Sequence, residues 1–194
     1  MAGTRQTRGE TRREQILDVA MRTFAEHGFR GASLAQIAAE AELSEPGLLH
    51  HFASKRELLF GVLRETEVRF KSWALERADG RGYCELLLDV ARFHETDPTF
   101  IRFFIVLSAE SLEPLHPAHG WFRERYDRTR TLFADWIADD QRRGLVRGDV
   151  DPVLASRTII AALDGLELQY LLAGGGARDI SAPLELYVAQ LRST

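Results

Sequence analysis

Ser44, Glu45, Gly47, His50, His51 and Lys55 stand close together in the stretch SEPGLLHHFASK. If this stretch is helical, its polar face has groups suited to reading a nucleic-acid groove. Glu45 can accept from a cytosine amino group, His50 can donate to a base edge, and Gly47 lets the backbone come close. Pro46 and Leu49 share the segment and add no polar group. A plain αα-turn inside a helical domain accounts for the same residues, so the elements around them must decide.

Those elements are legible. Ser33 with Gln36 has the spacing of a capping box, which starts a helix at Leu34. Leu34, Ile37, Ala38 and Ala41 then fall on one apolar stripe. Ser44 caps a second helix with Pro46 in its first turn, where a missing N–H costs nothing, and Leu48 and Phe52 anchor it at i and i+4. The pair reads as a helix-turn-helix. Before it, Thr11 and Glu14 form a capping box for a helix through Ile16, Ala20 and Phe24 that ends at Gly28, a C-cap of left-handed type. After it, Ser54 and Glu57 start a long helix toward Ala78, ending at Asp79-Gly80-Arg81-Gly82.

Further along, the spacing predicts helices over 83–95, from Asp97-Pro98 through Leu112, from Trp121 to Arg143, from Asp151-Pro152 to Ala173, and a last one capped by Ser181. Gly174-Gly175-Gly176 has no Lys-Ser/Thr of a phosphate loop and reads as a helix stop.

The segment from Ile16 to Leu59, with FAEHGF from Phe24, SLAQIA from Ser33, LSEPGLLHHF and SKRELL, resembles the TetR-type (tetracycline-repressor-like) transcriptional regulators. The resemblance covers the first third of the chain. It implies operator binding as a homodimer through this segment, with an all-helical remainder that binds a small molecule and dimerises. It also implies phosphate contacts from Ser44, His51 and Lys55, with Ser33 among the DNA-binding residues. The family commonly has tyrosine where Leu49 stands, so one phosphate-bonding hydroxyl is missing, and Glu45 adds negative charge to the DNA face.

The chain has 194 residues, 45% hydrophobic and 28% charged, with a formal net charge of −4. Residues 1–60 hold eight Lys/Arg and eight Asp/Glu, so the excess acid lies in the remainder. Arg5, Arg8, Arg12 and Arg13 form a basic arm, and Lys55-Arg56 opens the fourth helix, both placed to straddle phosphates. The composition predicts an all-α chain. Its single cysteine, Cys84, excludes an internal disulfide. The N-terminus has no apolar run behind its charges, and no stretch reaches the ~20 apolar residues of a membrane span. These features predict a cytoplasmic, soluble protein.

A domain boundary is expected near residue 56, with an arm and helix-turn-helix domain over 1–56 and a ligand-binding and dimerisation domain over 57–194. In the second, Phe93, Phe100, Phe103, Phe104, Leu107, Trp121, Phe122 and Tyr126 recur at helical spacing. Any one of them alone reads as core; with the resemblance, a subset is expected to line a pocket for a lipophilic or aromatic effector. His94, Arg102 or Glu110 are its polar contacts. Ile159, Leu163, Leu166, Tyr170, Leu184, Val188 and Leu191 are expected to pack with their copies as a four-helix dimer interface.

His116, His119 and Glu113 are a weak metal signal and read as solvated loop residues. Cys84 lacks a histidine partner and Ser108 a nucleophile elbow. Neither an enzyme activity, a cofactor nor a metal is expected. The rival to a ligand-responsive repressor is a small-molecule binding protein without operator-specific DNA binding.

Overall fold

The structure is a computed structural model that describes residues 8–78 and 80–192. These residues form the helices α1 (Arg8–Gly31), α2 (Leu34–Glu40), α3 (Glu45–His51), α4 (Lys55–Ala78), α5 (Tyr83–Thr96), α6 (Pro98–Glu110), α7 (His119–Arg142), α8 (Pro152–Ala173) and α9 (Ser181–Leu191). No helix among the described residues is long and apolar enough to cross a membrane.

Two apolar cores organise the helices. The first joins Ile16, Ala20 and Phe24 of α1 to Ile37, Leu48, Phe52 and Leu59, and it continues into Phe103, Leu107, Ala118 and Phe122 of α6 and α7. The second gathers Leu87 and Ala91 of α5, Ile101, Ile137, Ile159, Leu163, Leu184 and Val188. α1, against which the helix-turn-helix packs, therefore rests on α6 and α4. Phe104 is partly buried and packs against both cores, which makes α6 the element they share.

The capping spacing locates the short helices. Gln36 N–H donates to Ser33 Oγ at 3.1 Å, Gly47 N–H to Ser44 Oγ at 3.2 Å and Glu57 N–H to Ser54 Oγ at 3.1 Å. Each bond satisfies one N–H that a helix start leaves orphaned. Asp97 and Asp151 cap α6 and α8 in the same way.

Four local expectations are corrected. α1 is helical from Arg8, so Thr11 lies inside it and is not its cap. Gly28 has the positive φ expected, but with ψ 177 it is extended rather than left-handed helical, and one further turn follows to Gly31. α6 stops at Glu110, because Ser111 and Leu112 turn into the loop.

The start of α9 is the fourth. Ser181 makes no side-chain cap there. The Glu95 carboxylate at the end of α5 accepts from Ile180 N–H at 2.9 Å, Ser181 N–H at 2.7 Å and Ser181 Oγ at 3.1 Å. A negative charge at a helix N-terminus is favoured by the orphan N–H groups and the helix dipole. Glu95→Gln keeps an acceptor and loses the charge, so it should lower the unfolding free energy by about 1 kcal/mol. Urea unfolding at neutral pH measures it.

Candidate DNA-binding face and effector chamber

In the helix-turn-helix, Ala41-Glu42-Leu43-Ser44 makes the turn, with Glu42 in the left-handed region at φ 54. Leu48 and Phe52 are fully buried and fix α3 on the scaffold. Glu45, Pro46, Leu49 and His50 are exposed on the outer side, and Gly47 and His51 are half-buried. The rings of His50 and His51 meet edge-on at 5.8 Å. Ser33 and Ser44 use their hydroxyls to cap α2 and α3, and both residues are exposed.

The expected basic contacts are placed differently. Arg12 is not a free arm: its guanidinium donates to the carbonyls of Ala41 at 2.7 Å and Glu42 at 3.0 Å, so it ties α1 to the turn. Lys55 also turns inward. Its ammonium donates to Ala32 C=O at 2.7 Å and lies 4.6 Å from the centre of the Phe29 ring. Bare carbonyls left at the end of α2 draw in Arg12, and those at the end of α1 draw in Lys55.

Arg13, which the sequence did not single out from its neighbours, donates to His51 C=O at 2.9 Å and stacks on Phe52, holding the end of α3. Arg8 opens α1, and Arg5 lies outside the described residues. Arg22, Arg30 and Arg56 remain exposed.

The aromatic residues divide. Phe103, Leu107 and Phe122 are buried in the first core, where packing occupies them. Phe93, Phe100 and Phe104 belong with two residues of α4 that spacing did not suggest, Phe70 and Trp73. Trp73 lies 4.7 Å from Phe93, Phe100 lies 4.9 Å from Phe104, and Phe70 is 6.1 Å from Phe100. His94 faces this set with its Nδ1 2.5 Å from Glu167 Oε1 of α8.

Trp121 packs on Phe104 and Phe122 at the far side. Arg125 of α7 lays its guanidinium 4.5 Å from the Phe104 ring centre, and burial pushes its pKa down. Tyr126 O–H donates to Asp164 at 2.9 Å, and burial raises the pKa of both groups. This pair borders an open cleft of about 290 Å³ between α7 and α8, also lined by Arg130, Arg157, Ile160 and Ala161. Arg102 is exposed.

Glu110 does not reach the aromatic set either. It closes the junction between the cores: Phe29 N–H donates to Glu110 Oε2 at 2.7 Å. The same oxygen lies 3.5 Å from His116 Nε2. His116 is buried, not solvated as its loop position suggests, and its Nδ1 accepts from Ala118 N–H at 3.2 Å. His119 Nδ1 meets Ser111 C=O at 2.8 Å. The two histidines are thus loop-closing groups, and no cluster of metal-ligating residues occurs among the described residues.

Burial pushes the His116 pKa down, with Glu110 opposing it. An unfolded histidine takes up a proton near pH ~6.5. The folded state resists that proton, so it binds fewer protons than the unfolded state just below this value. Stability should be full above pH ~6.5 and fall as pH drops toward the lowered folded value. Melting temperatures across this range should show a steeper acid-side decline for the native chain than for His116→Gln.

Residues 16–62 match the model of the bacterial regulatory proteins of the tetR family, which spans all of α2 and α3 and ends inside α4. Over this segment the chain is similar to the TetR-family regulators. It is 28% identical over 193 residues to the HTH-type transcriptional repressor Rv1474c of Mycobacterium tuberculosis, covering 93% of each chain. It is 25% identical over 187 residues to the repressor AcnR of Corynebacterium diphtheriae, covering 94% of this chain and 93% of that one. A solved structure described as the molecular basis for control of antibiotic production by bacterial hormones superposes with TM-score 0.75 and 26% identity, covering 93% and 97% of the two chains.

The last two helices correct the interface residues expected from sequence. Ile159, Leu163, Tyr170, Leu184, Val188 and Leu191 are buried within the single chain, and Leu166 packs against the same core. Their side chains close α8 and α9 onto α5, α6 and α7 and are not offered outward. The outward faces carry other residues: Ala161, Leu168 (45% exposed) and Leu172 (79%) on α8, and Leu186 (73%) on α9. Small residues with spaced leucines form a stripe that a second helix can approach closely.

Proposed function

We propose that this chain is a TetR-type homodimeric transcriptional repressor that binds a palindromic operator and is released by a small lipophilic or aromatic effector. One observation carries the reading: α3 is anchored by buried Leu48 and Phe52 while it turns Glu45, Pro46, Leu49 and His50 outward. That is what a helix needs in order to enter a major groove without unfolding its support. The exposed stripes of α8 and α9 supply a self-complementary surface for a two-fold dimer.

The shared helix α6 supplies a route from the aromatic set to the DNA-binding core. An effector acts there only by binding one separation of the two α3 helices better than another. We place the domain boundary near residue 56, at the start of α4. The family relatives named as repressors support the direction of control, and the hormone-responsive structure supports control by a small molecule.

The inward-turned Arg12 and Lys55 favour a second reading, a small-molecule binding protein without operator-specific binding. Selection of duplexes from a random pool separates the two. The repressor reading expects enrichment of a two-fold symmetric site with half-sites ~34 to 36 Å apart and affinity that falls steeply with salt. Leu168→Glu with Leu172→Glu should give monomers that bind the selected site weakly. An unenriched pool with a flat salt response would replace the first reading with the second.

A further inference from the structure

We infer that His94 Nε2 is the polar contact for an aromatic effector carrying a hydroxyl, held in a chamber walled by Phe70, Trp73, Phe93 and Phe100; this rests on the effector-controlled reading above. The starting point is an imbalance. His94 is a buried polar residue, 8% exposed. Its Nδ1 is bonded to Glu167, whereas its Nε2 is buried with no hydrogen-bond partner. Buried nitrogens without partners are uncommon in folded proteins and call for a reason.

The surroundings of that nitrogen supply it. The His94 ring lies 5.5 Å from Phe100, 5.9 Å from Phe93 and 6.0 Å from Phe70, centre to centre. Trp73 backs Phe93 at 4.7 Å and Phe70 at 5.8 Å. Flat rings are what a planar ligand stacks against. A single polar atom among apolar walls is the usual arrangement by which a pocket orients such a ligand.

The tautomer defines the ligand's contact group. A carboxylate accepts and does not donate, so the proton of the Glu167 bond sits on Nδ1. With the ring's proton held at Nδ1, Nε2 presents a lone pair, and its complement is an O–H donor. Glu167 fixes the ring's orientation from α8, so a ligand bonded to Nε2 is also coupled to the helix whose outer face forms the proposed dimer stripe.

The rings fill the chamber in this structure. Phe70, Trp73 and Phe93 are half-buried and form its outer wall, while Phe100 is the buried inner one. A ligand of one or two rings enters by displacing an outer ring and stacking on those that remain.

Equilibrium dialysis of the full-length protein tests this with three probes of similar shape: 2-naphthol, 2-methoxynaphthalene and 2-naphthoate. The expected result is 2-naphthol bound about tenfold tighter than its methyl ether, the factor that one hydrogen bond of ~1.4 kcal/mol supplies. 2-Naphthoate, which has no donor for Nε2, should bind no better than the ether. His94→Phe should remove the preference for 2-naphthol over the ether. Because His94→Phe strands Glu167, the double variant His94→Phe with Glu167→Leu is measured beside it; removing both partners leaves no buried polar group behind.

Equal binding of naphthol and ether, retention of the preference in both variants, or no binding of any probe would overturn the assignment. Operator affinity read in parallel keeps the two levels apart. If 2-naphthol binds through His94 and operator affinity is unchanged, the contact stands and effector release fails. If another small molecule releases the operator while no probe binds, release stands and this contact fails.

Discussion

Gly28→Ala should lower the unfolding free energy by about 3 kcal/mol or more, among the largest effects of any single substitution here. Two costs combine. At φ 68 and ψ 177, Gly28 occupies a region that side-chain-bearing residues essentially do not adopt, a strain of about 1–3 kcal/mol. A Cβ built there would collide with Glu110 Oε1 and lie 2.7 Å from its carboxyl carbon. That carboxylate cannot simply swing away, because it holds Phe29 N–H and sits beside His116. Guanidinium unfolding of four chains, native, Gly28→Ala, Glu110→Ala and the double variant, separates the terms. Removing Glu110 first should relieve the collision and leave the backbone strain, so the glycine substitution should cost less in that background. An equal cost in both backgrounds would mean that the contact with α6 plays no part.

The same contact has a functional side. Phe29 lies in the last turn of α1 and leads to Ala32 and Ser33, so Glu110 fixes where α2 and α3 begin relative to α6. Lys55 repeats the fixation from the other side by bonding Ala32 C=O. A shift at Phe100 or Phe104, on the same helix as Glu110, therefore has a direct mechanical path to the helix-turn-helix.

What the sequence revealed and what it hid follow from range. Ser33, Ser44, Asp97 and Asp151 act on N–H groups two or three residues away, so residue type and spacing were enough to place their helices. Leu48 and Phe52 were legible for a related reason, since their stripe faces a core made by near neighbours. Glu95 caps a helix 85 residues further on, and Glu110 bonds an amide 81 residues back. No local pattern encodes either contact.

α8 was hidden for another cause. An apolar helix shows from its sequence that more than one side is buried, not which side meets its own chain. The structure gives the Ile159, Leu163 and Tyr170 side to α5, α6 and α7 and leaves Ala161, Leu168 and Leu172 outward. Arg12 and Lys55 misled because a basic residue near a proposed DNA face suits a phosphate and a helix-end carbonyl equally well.

Gly47→Glu should reduce affinity for the selected operator by about 100-fold or more while leaving the fold intact. Gly47 lies in the first turn of α3 and is half-buried beside exposed Glu45 and Pro46. A Cβ there would sit 3.2 Å from Ser44 Oγ, a tight contact that a small adjustment of the hydroxyl accommodates, so the scaffold survives. The carboxylate would have to project toward phosphates and base edges, adding repulsion and filling the space through which the backbone approaches. A loss of 100-fold corresponds to about 2.7 kcal/mol. His50→Ala removes one donor and should cost about 1–3 kcal/mol, concentrated at one base pair of each half-site rather than spread across sequences. The contrast is the diagnostic part. Loss that depends on sequence for His50 and hardly on sequence for Gly47 places the first at a base edge and the second at the backbone approach. If both variants bind the operator as the native chain does, α3 is not the reading helix.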